Sequence, residues 1–153
     1  MDQLRRGFEH SLEFDRLENI RQIYAMEADA QAIATLYAWS ERAAKPELWD
    51  AAGSIAHYED IRTAFGDTLA STADLGLAGR AAFTAWYASD WRRESYYLSA
   101  CSQYLDRLDA AHALQRYDPL PDGYFDDLCL LPDGTNYGCH LTPEIRGTWA
   151  IAD

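Results

Sequence analysis

At Tyr117 the chain changes character. Before that residue, apolar side chains recur at helical spacing with few interruptions. After it, DPLPDGYFDDL (118–128) places two prolines, a glycine and four aspartates in eleven residues. Proline has no amide proton to give a helix or a central strand, so this stretch must be loop. The division predicts a mainly α fold in one domain (1–153). A helical bundle of about five to six helices spans 2–117, and a loop with a small C-terminal β-hairpin spans 118–153. A chain of 153 residues is long enough to fold without metal or disulfides, since at this size roughly two thirds of the unfolded surface is buried.

Within the helical part, Leu4, Phe8 and Leu12 are spaced by four, and Leu17, Ile20 and Tyr24 continue a stripe. Ile33, Leu36 and Tyr37 carry another. A break is expected near Glu13 or between Met26 and Asp29, although no glycine or proline forces one. Pro46 stops the run, because the residue before a proline is pushed out of helical geometry. It then opens a short helix that Gly53 closes. Ser54 is the expected cap of the next helix, with Ile55, Tyr58, Ile61, Phe65 and Leu69 facing inward. STADLGLAG (71–79) is either a connection or the first turn of a helix that turns Phe83, Trp86 and Tyr87 to the core. The clearest helix follows, from Ser89 or Asp90 as its cap. Its stripe of Trp91, Leu98, Cys101, Leu105, Leu108 and His112 has the spacing of a core face.

LCLLPDGTNYGCHL (128–141) raises the question of a metal or nucleophile site. Pro132, Asp133 and Gly134 form a turn: Pro sets the first corner, Asp accepts hydrogen bonds from nearby backbone, and Gly takes the left-handed position. The expected register sets Leu131 against Thr135, Leu130 against Asn136 and Cys129 against Tyr137. Phe125, Asp127, Cys129, Leu131, Thr135, Tyr137, Cys139 and Leu141 share the face expected to pack on the helices. Cys139 and His140 then point to opposite faces and cannot share a metal. No metal and no cofactor are expected. IRGTWAIA (145–152) either adds a third strand or crosses the helices. Three cysteines in a chain whose start has no apolar run argue against a signal peptide and a disulfide framework, and for a reducing cytoplasm.

Net charge decides which partners are excluded. At −12, with a pI near 4.6, the surface repels phosphate, so direct nucleic acid binding and attachment to anionic membranes are not expected. A basic protein partner is. Residues 106–144 alone hold eight acids and two bases. Two clusters are candidate partner-binding residues. Trp91, Arg92 and Arg93 in DWRRESYY combine the residue types that dominate protein hot spots. Asp118, Asp122, Asp126 and Asp127 are displayed on the Pro-Gly loop, without the spacing of a calcium loop. No G-x-S-x-G, P-loop, G-x-G-x-x-G or H-E-x-x-H occurs. The leading expectation is a non-enzymatic acidic protein-binding module: an inhibitor, immunity-type protein or adaptor that masks a basic surface. The alternative is a small-molecule-binding bundle or small enzyme. Its pocket between helices would be lined by Trp86, Tyr87, Tyr96, Tyr97 and Tyr104, with Arg92 or Arg93 and His112 as polar groups. A structural subunit with aromatic faces buried on a partner is a third.

Overall fold

The computed structural model describes residues 2–137. Six helices run through it: α1 (Asp2–Arg5), α2 (Arg16–Ser40), α3 (Pro46–Ala52), α4 (Glu59–Thr72), α5 (Leu75–Trp86) and α6 (Asp90–Ala111). The mainly helical expectation holds. Among the described residues there is no strand; two isolated bridges occur, Phe14 with Asp118 and Leu130 with Asn136. The expected hairpin beyond Tyr137, with Cys139 and His140, lies outside the described residues, as does 145–152.

The long helix α2 is the axis of the fold and packs against α3, α4, α5 and α6. Its inward stripe is small in the middle (Ala25, Ala28, Ala32) and large at the ends (Ile20, Tyr24, Leu36). Ala78 and Ala82 of α5 are fully buried in the same core, and small side chains of this kind let helix axes approach closely. Phe65, Phe83, Trp86 and Tyr87 fill the remaining space, and Phe8, Phe125, Leu128, Cys129 and Tyr137 close the core from outside the bundle.

Helix ends follow local chemistry. Asp15, Asp74 and Ser89 accept from the amides of Leu17, Leu77 and Arg92 and so cap α2, α5 and α6. Pro46 is the first residue of α3 and Gly53 its cap, as the sequence indicates. Ala73 and His112 take left-handed conformations at the ends of α4 and α6.

Four local expectations are corrected. The N-terminal helix does not reach Leu12; α1 ends at Arg5 and the chain turns at Gly7, whose φ of 89° only glycine adopts freely. Of the two expected places for a break, that near Glu13 is realised, and α2 runs unbroken through Met26–Asp29. α4 starts at Glu59, not after Ser54, because 53–58 is a series of turns ending in a left-handed His57 whose carbonyl is held by Arg92. On α6, Trp91, Leu98 and Leu105 are exposed (48%, 69% and 50%) and His112 is exposed too; the buried face is Arg92, Ala100, Tyr104 and Leu108. Two stripes of the same period compete on that helix. The tyrosine stripe wins because Tyr96 also finds a polar partner there, Glu27 of α2 at 3.0 Å.

Candidate functional site

The residues singled out from the sequence divide sharply. Arg92 is 1% exposed and cannot be displayed to a partner. Its guanidinium meets both carboxylate oxygens of Asp60 and the carbonyls of Ala85, Trp86 and His57. Arg93 is paired with Asp90, and Trp91 is exposed with His57 stacked on its ring at 4.4 Å. Asp118, Asp122, Asp126 and Asp127 are all exposed. Their loop is tied down by backbone: the Asp118 carbonyl accepts from Asp15, Asp126 from Asn136, and Asp127 from Arg6. The carboxylates therefore face outward from an anchored loop, and among the described residues Asp118 alone is ion-paired, to Arg116 at 2.6 Å.

The side chains expected to line an aromatic pocket take different places. Trp86, Tyr87 and Tyr104 are core residues, and Tyr97 is half-buried against the core. Trp86 packs its ring on Tyr24, Tyr87 and Tyr96 at 5.1 to 5.4 Å, so the rings fill space instead of lining it. Of the six, Tyr96 lines a small cleft of about 140 Å³ between α2 and α6, together with His10, Glu27 and Gln103. Burial, helped by the nearby Arg107, lowers the His10 pKa below its ordinary 6.5 and favours the neutral ring. Burial first, and then the neighbouring Tyr58 and Glu27, raise the Tyr96 hydroxyl. The cleft thus offers a carboxylate, an uncharged imidazole and a protonated phenol.

A second cleft, of about 570 Å³, opens where the N-terminal segment, α2 and the 130–134 turn meet. On its wall lies Asp29, 2% exposed. Its carboxylate accepts from Tyr137 Oη at 2.7 Å and from Gln3 Nε2 at 2.8 Å, with Arg6 4.0 Å away. Burial raises the Asp29 pKa, while Gln3, Tyr137 and Arg6 oppose that rise. Arg6 also donates to the carbonyls of Asp127 and Leu128, so one carboxylate and one guanidinium join three segments of chain. The stripe reading passed over Gln3, Arg6, His10, Glu27 and Asp29. MEADA (26–30) carried the available signal: Asp29 lies beside Ala28 and three residues before Ala32, inside the buried stripe.

The turn at 132–134 pairs as the register requires. Leu131 and Thr135 are bonded at 2.8 Å, and Tyr137 donates to Cys129 at 3.1 Å. Both Leu128 and Cys129 are fully buried, although the alternation placed them on opposite faces. Residues 122–128 are turn, not strand, so the period of two does not apply there. Cys101 is a free thiol while Cys129 is disulfide-bonded, which corrects the argument from an odd cysteine count.

Residues 1–139 match the family described as "Putative metallopeptidase family (DUF6782)", and the chain belongs to that family. No curated protein matches the chain, and no solved structure does. The family's description implies a metal ion. A catalytic zinc takes three protein ligands and keeps one position for water. Among the described residues no group of three or more His, Cys, Asp or Glu is placed to hold a metal. His10 and Glu27 line one cleft with no third such residue beside them. The described residues therefore do not fit a catalytic metal centre. None of their helices is long and apolar enough to cross a membrane.

Proposed function

We propose that this chain acts as an acidic protein-binding module that masks a basic surface on a partner, as an inhibitor, immunity-type protein or adaptor does. The observation that supports this reading is the anchored acidic loop. Its backbone is fixed by Arg6, Asp15 and Asn136, while Asp122, Asp126 and Asp127 stay exposed. An ordered array of like charges speeds encounter with an opposite surface. The test is capture from a source lysate at low and at high salt, read by mass spectrometry. The expected result is one stoichiometric basic protein that leaves at high salt; a partnerless chain at low salt overturns the reading.

A second reading is favoured by the cleft that gathers His10, Glu27 and Tyr96, together with the family's description. It is a small enzyme or ligand-binding bundle, with peptide hydrolysis as the reaction to look for. Hydrolysis of labelled casein, assayed with and without added zinc and lost in Glu27→Gln, would carry it. No turnover under either condition removes peptide hydrolysis.

A further inference from the structure

The outward face of α6 is apolar along its centre and acidic at its edges. Trp91, Leu98 and Leu105 are exposed and lie seven residues apart, which on a helix is about 10 Å per step along nearly one line. α6 packs against α2 through its other face. The indole at the head of the line is steadied by His57, stacked on it within 15° of parallel. A large aromatic already held in place is the kind of anchor that binding sites concentrate energy on. At 100° per residue, Glu94 and Asp109 fall close beside the line and Asp90 and Asp106 at its flanks; all four are exposed. Of these acids only Asp90 is balanced by a positive group of α6. Arg92 is buried on Asp60, Arg93 is taken by Asp90, and Arg107 is on the far side of the helix.

These charges choose the occupant. A second copy packed antiparallel about Leu98 would set the Asp90–Arg93 pair against Asp106 and bring no cation to Glu94 or Asp109, and a parallel copy would set each acid near its own image. Like charges facing one another across helices are destabilising. We propose, resting on the binding reading above, that this face of α6 docks a basic amphipathic helix of a partner protein. Apolar side chains at heptad spacing would lie on Trp91, Leu98 and Leu105, and lysines or arginines would meet the acidic edges.

The test uses a fluorescent synthetic helix of about 20 residues, long enough to span the stripe. It carries leucines at heptad positions and lysines or arginines elsewhere. A peptide of identical composition with shuffled leucines measures bulk charge attraction. The wild-type chain should bind the patterned peptide roughly tenfold or more tightly than the shuffled one. Leu98→Ser combined with Leu105→Ser, both at exposed positions, should remove that preference. The double change Glu47→Gln, Asp67→Asn, at exposed acids of α3 and α4, should keep it. Equal binding of the two peptides by the wild type, or a preference that survives in the double serine variant, overturns the proposal. A salt-released lysate partner captured equally by wild type and double serine variant also overturns the α6 site, while the binding reading stands. Absence of any such partner overturns the binding reading itself.

Discussion

Arg92 meets Asp60 with both terminal nitrogens, at 2.9 and 2.6 Å, from a side chain that solvent barely reaches. The pair ties the start of α6 to the start of α4, and the same guanidinium holds the end of α5 through the carbonyls of Ala85 and Trp86. Arg92→Met should cost about 3 kcal/mol, because it strands a carboxylate and three carbonyls together. Asp60→Asn leaves the buried guanidinium without its counter-charge and should cost about 2 to 3 kcal/mol, the three carbonyls and the asparagine oxygen still accepting from it. Arg92→Lys cannot reproduce the two-pronged contact and should resemble the methionine variant more than the wild type. Urea unfolding midpoints measure all three.

Asp29 sets a pH dependence. Its pKa is raised in the folded chain above the ordinary 3.8. Above 3.8 the folded state therefore holds more protons than the unfolded one, and this group's contribution to stability falls as pH rises through its folded pKa. Asp29→Asn should flatten that decline. Unfolding free energies of both proteins, measured across the acid to neutral range, give the comparison. Parallel curves would show that Asp29 is not the group responsible.

His10 works with the opposite sign. Its pKa is lowered from 6.5, first by burial and then by Arg107. The folded chain resists protonation, so stability from this group is present at higher pH and is lost as pH falls below 6.5. An NMR titration should place the His10 midpoint below that of a free histidine. Arg107→Ala should move it up only in part, because burial is the larger cause.

Ala73 sits at φ 53°, a left-handed conformation that side chains with a β-carbon disfavour. Glycine adopts it freely but loses more freedom on folding. Ala73→Gly should therefore raise stability by a few tenths to about 1 kcal/mol, read as a higher thermal midpoint.

Much of this helical architecture is legible in the residues, because caps and prolines act locally. Pro46, Gly53 and Ser89 mark their helix ends without reference to anything distant. The inner face of α6 is not legible in the same way. Its leucine stripe and its tyrosine stripe have one period, and only the position of Glu27 on α2 decides between them. The candidate site is hidden for a related reason. His10 and Glu27, or Gln3, Asp29 and Tyr137, meet only after distant segments fold together, and none of these sets forms a spaced motif along the chain. The exposed loop aspartates could be named from composition, whereas the burial of Arg92 depends on Asp60, thirty-two residues earlier.

The Asp29 clasp also bears on the order in which the molecule assembles. Neighbouring helices such as α4 and α5 meet across short stretches of chain, but Tyr137 reaches Asp29 across 108 residues and Arg6 reaches Leu128 across 122. Closing spans of that length costs entropy that only a formed core repays. The helices then come together first and the 118–137 segment is laid on last, seated by one carboxylate. In reverse, that segment is the first to lift away: its amides should exchange with solvent while those of α2 are still protected. A protease should cut near Pro121 before it can reach any helix of the core.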